Sequence, residues 1–156
     1  MKTAHELLDE YGESHQNPVN KAFHWICVPV ILWTIVALLW VIPFPGAIRL
    51  GGYPLNWAIL VLALVQIYYF RLSLSLAIGM LVIVAAMLWV THWVAVNVSL
   101  PLWQVAAGLF VVAWIGQFIG HVVEGKRPSF FKDVQFLLIG PAWLLSFLYR
   151  KAGIKI

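Results

Sequence analysis

The chain has 156 residues, of which 63% are hydrophobic and only 10% are charged, and its mean hydropathy is +0.91. Soluble domains contain about 25% charged residues, and so short a chain could not bury this much apolar surface in a core of its own. The composition therefore excludes an ordinary soluble globule and predicts an integral membrane protein, while a net charge of +4 with no more than two adjacent basic residues gives no support to nucleic-acid binding.

The N-terminal segment differs from the rest of the chain because it is polar. Thr3 followed by Glu6 is typical of a capping box, which predicts a helix over Thr3–Tyr11. We interpret the whole chain as a single integral membrane domain of residues 1–156. Its three parts are a polar N-terminal helix and motif segment (1–22), a membrane region (23–149) and a basic tail (150–156).

Four apolar runs follow, each close to the ~20 residues that a helix needs to cross a bilayer. They are Phe23–Ile42, Pro54–Phe70, Leu72–Val94 and Pro101–Val123. We predict an all-α, polytopic transmembrane bundle in which these four runs cross the membrane. A polar segment, Glu124–Asp133, comes after the fourth run.

A fifth apolar stretch, Val134–Tyr149, is ambiguous because Gly140-Pro141 in its middle should break or kink a helix. The positive-inside rule favours a re-entrant or interfacial segment over a fifth crossing, since both termini are then cytoplasmic and Arg49 is the single basic residue outside. The basic residues placed inside before the tail are Lys2, Lys21, Arg71, Lys126, Arg127 and Lys132.

Histidine is costly inside a membrane, and each of the five histidines is therefore a functional candidate. His5 lies on the polar N-terminal helix, where a solvated surface role is expected. His92 ends the third run beside Trp89 and Trp93, on the side opposite the other candidates, and we expect it to be a dispensable member of an interfacial aromatic belt.

Two motifs place the remaining histidines near one membrane face. Asn17-Pro18 predicts a turn with a helix beginning near Pro18 or Asn20, so that Asn20 and His24 share a helical face and His15 can fold over the helix end. The alternative interpretation is a set of interfacial polar residues that face lipid headgroups.

At the other end of the chain, Gln117, His121 and Glu124 form a polar stripe along the fourth run. Gly116 and Gly120 form a small-xxx-small pair that admits a close helix neighbour. The alternative is hydrogen bonding between helices by Gln117 and a headgroup-facing His121.

In the predicted topology both motifs lie near the cytoplasmic interface. We predict one metal site with His15, His24 and His121 as ligands, and Glu124 as a fourth ligand or a hydrogen-bond acceptor. Asn20 and Gln117 would orient the ligands. Imidazoles with a carboxylate and no thiolate suit Fe(II) or Zn(II).

The same motifs carry a family resemblance. The chain resembles the 2-hydroxy fatty acid dioxygenases, small polytopic membrane enzymes, and it departs from their second motif where Gly125 follows Glu124. The residues concerned are Tyr11, His15, Asn17-Pro18, Asn20, His24 and Pro29, then Gln117 to His121 and Glu124 to Pro128.

The resemblance implies a reaction in which a 2-hydroxy fatty acid loses one carbon with Fe(II) and O2. Arg127 is then a candidate for steering the anionic head of the substrate, with a positive-inside anchor as the equal alternative. The implied location is a bacterial inner membrane, or the endoplasmic reticulum of a eukaryote. The competing hypotheses are a non-catalytic transporter or lipid-binding scaffold, and a zinc membrane hydrolase.

Overall fold

The computed structural model describes residues 2–46, 49–50, 53–127 and 135–156. The predicted all-α class is confirmed, with one short antiparallel ladder, β1 (Arg49–Leu50) with β2 (Tyr53–Pro54), between the second and third helices. In chain order the helices are α1 (Ala4–Gly12), α2 (Pro18–Val41), α3 (Trp57–Leu72), α4 (Leu74–Asn97), α5 (Leu102–Glu124) and α6 (Gln135–Ala152).

Three of the helices in the described ranges, α2, α4 and α5, are long and apolar enough to cross a membrane. The run predicted over Pro54–Phe70 forms α3, which is apolar but has only 16 residues. At 1.5 Å per residue it is ~24 Å long, less than the ~30 Å hydrocarbon core. Length and composition therefore give three candidate crossings, and α3 is not among them.

The starts of α1 and α2 follow from their capping residues. The Thr3 side chain accepts from the Glu6 backbone, and the Glu6 carboxylate accepts from Thr3 N at 2.6 Å, so the predicted capping box is confirmed. The Asn17 side chain accepts from Val19 N at 2.8 Å, and Pro18 occupies the first turn, where its missing N–H costs nothing. The chain between the two helices is thereby held in a tight turn.

The close helix neighbour predicted from Gly116 and Gly120 is α2. A Cβ atom on Gly120 would lie 2.5 Å from Asn20 Oδ1, and one on Gly116 would lie 2.7 Å from Cys27 Sγ. Only glycine leaves room for this approach. As a result the first turns of α2 and the last turns of α5 lie side by side at one depth.

Helix α6 lies against the turn between α3 and α4. Near its beginning, Leu138 O accepts from Tyr69 Oη at 2.6 Å, and near its end, Tyr149 Oη donates to Ser75 O at 2.6 Å. Tyr69 and Ser75 flank the same turn, so both parts of α6 reach the same end of the bundle. Helix α1 packs on α6 through Leu7, Leu8 and Tyr11, which share a buried core with Phe136, Ile139 and Trp143.

Of the break or kink expected at Gly140-Pro141, the break does not occur, because α6 continues through both residues. Proline removes one backbone N–H from the helix, but the segment from Ile139 to Ser146 is buried, and this packing holds the helix together. A Cβ atom on Gly140 would lie 2.9 Å from Tyr11 Oη, so this glycine makes room for the tyrosine. Residues Pro128 to Val134, including Lys132, lie outside the described ranges.

Candidate metal centre

Three of the five histidines meet inside the bundle. His15 lies in the turn between α1 and α2, His24 on the second turn of α2, and His121 on the last turn of α5. One ligand nitrogen from each lies within 4.8 Å of the others, and the three side chains are only 1%, 1% and 5% exposed. The histidine triad, as we call these residues, is therefore close enough to bind one metal ion.

Hydrogen bonds to the backbone fix the tautomers of two members of the triad. His15 Nδ1 lies 2.6 Å from Tyr11 O, and His24 Nδ1 lies 2.9 Å from Asn20 O. A carbonyl oxygen can only accept, so both Nδ1 atoms carry the proton and donate it. The Nε2 atom of each neutral ring is then left with a lone pair.

These two lone pairs face each other, because His15 Nε2 and His24 Nε2 are 2.9 Å apart. Two acceptors at this distance repel unless a cation lies between them. Two nitrogens that each bind one metal ion at ~2.0–2.1 Å with an angle of ~90° are ~2.9 Å apart. In addition, His121 Nδ1 is buried with no hydrogen-bond partner among the described residues. The geometry and the donor set both suit a bound metal.

The electrostatic surroundings keep His15 neutral. Burial lowers the pKa of His15 to about 4, although the bond to Tyr11 O acts in the opposite direction. Neutral imidazole is the form that binds metals. The His15 ring also stacks on the ring of Tyr11, with centroids 4.2 Å apart and planes 9° apart, and its centroid lies 5.2 Å from that of Trp143.

Glu124 fastens the turn that carries His15. Its carboxylate accepts from Gln16 N and Asn17 N, both at 2.9 Å, and from Asn20 Nδ2 at 3.0 Å. The ligand atoms that lie within 4.8 Å of one another come from the three histidines, and this carboxylate is not among them. Of the two roles predicted for Glu124, this geometry favours the hydrogen-bond acceptor, since it joins the end of α5 to the start of α2.

The amide side chains differ from the prediction that they orient the imidazoles. Asn20 Nδ2 donates to Glu124 and to Ser14 O, and it is the Asn20 backbone that holds His24. Gln117 is buried and lines an apolar cavity beside His24 and His121. Within the described part of the chain, neither amide side chain is bonded to an imidazole. Backbone carbonyls occupy the Nδ1 atoms of His15 and His24, and Nδ1 of His121 has no partner among the described residues.

The other predicted residues lie apart from the triad. Arg127 is exposed just after α5 and does not line the cavity beside the triad. His5 is exposed on α1, and His92 is exposed near the far end of α4. Sequence reasoning assigned no role to Tyr11, although it stands one helical turn before His15, and nothing in the sequence pointed to Trp143.

The family model described as 2-hydroxy-palmitic acid dioxygenase Mpo1-like matches residues 1–152. The chain is also 30% identical over 148 residues to the 2-hydroxy-palmitic acid dioxygenase MPO1 of Saccharomyces cerevisiae, an alignment that covers 92% of this chain and 78% of the yeast protein. No solved structure matches the chain.

Proposed function

This chain belongs to the Mpo1-like family of 2-hydroxy-palmitic acid dioxygenases, and from that premise we propose that it is a membrane-bound, Fe(II)-dependent dioxygenase that shortens 2-hydroxy fatty acids by one carbon. The observation that carries the proposal is the pair of facing Nε2 lone pairs, 2.9 Å apart and beside His121. A buried arrangement of this kind needs a cation to be stable.

The family membership favours iron over zinc. Three imidazoles without a thiolate suit either metal, but zinc has no redox chemistry, and a dioxygenase must use O2. When bound, Fe(II) would supply the redox chemistry by which O2 oxidises the hydroxy acid. The overall change balances when one O2 and one 2-hydroxy acid give the acid one carbon shorter, carbon dioxide and water.

The chain's own residues would do three things in this reaction. The triad holds the metal, and the Tyr11 and Asn20 carbonyls keep His15 and His24 in the metal-binding tautomer. Glu124 holds the turn that carries His15. The near-complete burial of the ligands excludes water from the reacting atoms. For Arg127, which is exposed, we propose the role of a positive-inside anchor.

We propose that α2, α3, α4 and α5 cross the membrane and that α1 and α6 lie at its cytoplasmic face. The contacts of α6 support this, because Leu138 and Tyr149 both reach residues that flank the α3–α4 turn. A helix that crossed the bilayer could not touch one turn near both ends. Labelling of an engineered cysteine at Ile156 in sealed vesicles tests this, and a C-terminus on the side opposite the N-terminus would establish a fifth crossing.

Metal content tests the site before any activity is measured. The protein is purified without oxygen, and iron and zinc are measured by elemental analysis in wild type and in H15A, H24A and H121A. We expect about one iron per chain in wild type and a loss of most of it in each variant, with H92A as the matched control. Full metal in all three variants would refute the triad as the binding site.

Turnover tests the reaction itself. Iron-loaded protein in detergent micelles is supplied with 2-hydroxypalmitate and air, and O2 uptake and products are followed together. We expect one O2 consumed for each odd-chain acid formed. Full iron occupancy with no O2 uptake across a range of chain lengths would favour the non-catalytic membrane protein, and activity that depends on zinc without O2 uptake would favour a hydrolase.

A further inference from the structure

An apolar cavity of about 220 Å³ begins at the histidine triad and runs between the helices. All six helices contribute to its wall, with α2, α3, α4 and α5 at the sides and α1 and α6 over the end at the triad. A cavity of this size inside a chain this short is costly, because the side chains around a void lose packing contacts. A bound ligand that fills the cavity would restore those contacts.

The two ends of the cavity differ in chemistry. At the triad end it is lined by His24, His121, Gln117 and the Tyr11 side chain, whose hydroxyl has no hydrogen bond within the described part of the chain. At the other end the wall consists of aliphatic side chains, among them Val36, Leu39, Val61 and Leu62. A long molecule with one polar end is the ligand that matches both.

The depth of the cavity can be read from α2, which runs along it. His24 lines the triad end and Leu39 lines the far end, and the fifteen residues between them correspond to ~22 Å of helix at 1.5 Å per residue. The far end of the cavity borders a buried cluster in which Val36, Ala58 and Leu62 pack with Leu88.

An acyl chain has the matching length. With C–C bonds of ~1.5 Å at tetrahedral angles, an extended chain advances ~1.25 Å per bond, so the fourteen bonds beyond C2 of a sixteen-carbon acid span ~17–18 Å. If the carboxylate and 2-hydroxyl stay at the triad, the terminal methyl group reaches the wall near Leu39 and Leu62.

We infer that this cavity is the acyl-binding site, that the tail points away from the triad, and that the side chains at its far end set the longest chain the protein accepts. The inference rests on the proposed function for the identity of the polar head. The position of the tail rests on the cavity alone.

The first experiment changes the depth of the cavity. V84F places a ring in the cavity wall, ~15 Å along α4 from its first residue, Leu74. We expect the preferred 2-hydroxy acid to become shorter by about three to four carbons, at ~1.25 Å for each carbon. L39A opens the far end, and we expect acids about two carbons longer to be accepted. The matched control is V82F on the same helix, since Val82 is 66% exposed on the outer surface. An identical chain-length profile in all four proteins would overturn the inference, and L39A keeps the test informative if V84F does not fold.

The second experiment needs neither metal nor turnover. Metal-free protein in nanodiscs is irradiated with a palmitic acid that carries a diazirine at its terminal carbon, and the labelled residues are mapped by mass spectrometry. We expect label near Leu39 and Leu62 that excess 2-hydroxypalmitate removes. Label confined to lipid-facing residues such as Val82, and unchanged by the competitor, would overturn the inference. If no substrate is turned over but the interior label is found, the proposed reaction fails and the acyl site stands.

Discussion

Replacing Glu124 with glutamine should weaken metal binding, although the carboxylate itself is not one of the proposed metal ligands. The carboxylate accepts three hydrogen bonds, from Gln16 N, Asn17 N and Asn20 Nδ2. Glutamine keeps the shape but offers one acceptor oxygen, and its NH2 group must face a donor. Each bond to a charged acceptor contributes about 1.5–3 kcal/mol, and the site is partly exposed, so we expect a net loss of roughly 1.5–3 kcal/mol.

That free energy corresponds to a roughly 10–100-fold lower metal affinity, at about 1.4 kcal/mol for each factor of ten, if the turn must be reordered before His15 can bind. The assay is a metal titration in competition with a chelator of known affinity. E13Q is the matched control, because Glu13 is an exposed carboxylate on the same turn. An affinity for E124Q within two- to threefold of wild type would refute the reasoning, and a loss as complete as that of H15A would make Glu124 a ligand instead.

Three further predictions follow from the same geometry. Y11F should keep its metal and raise KM for 2-hydroxypalmitate about tenfold, the value of one hydrogen bond of ~1–1.5 kcal/mol, and an unchanged KM in O2-uptake assays would show that the hydroxyl does not meet the substrate. H92A should match wild type in metal content and turnover, because His92 is exposed near the end of α4 away from the triad, and a loss of either would contradict the assigned site. Metal-free protein should be less stable in acid, because burial lowers the pKa of His15 from 6.5 to about 4. Between these two values the unfolded chain binds the proton more readily than the folded one. The contribution of His15 to the free energy of unfolding is therefore fully present above pH 6.5 and falls toward pH 4 by up to about 1.4 kcal/mol per pH unit. A Tm that stays constant across this range would contradict that sign.

The parts of the fold set by local chemistry could be predicted from the sequence. The capping box of Thr3 and Glu6 and the turn at Asn17-Pro18 lie where the pattern put them, because caps depend on residues only two or three positions apart. The glycines of α5 likewise predicted a close neighbour. His24 and His121 could be grouped because polar residues on apolar helices are rare and these two share a depth, and His15 could be added because the Asn17-Pro18 turn folds it over the start of α2.

The parts set by long-range packing could not be predicted. The Glu124 carboxylate joins residues more than a hundred positions apart, and two of its three hydrogen-bond donors are backbone N–H groups, which leave no trace in the side-chain pattern. Gly140-Pro141 was expected to break or kink α6, but the helix is not broken, since burial of the surrounding residues outweighs the lost hydrogen bond. The cavity was hidden for a related reason: Val36 and Leu62 face it, yet their sequence context does not differ from that of fully packed aliphatic residues.

The site draws its histidines from both ends of the chain, and this fixes when it can form during biosynthesis. His15 and His24 leave the ribosome early, whereas His121 lies at the end of α5. At about 5–20 residues per second, the first two imidazoles wait on the order of 5–20 seconds for the third. Metal would therefore be acquired only after α5 has been inserted beside α2, and a nascent chain stalled before α5 would carry two of the three histidines in a bundle that cannot yet close.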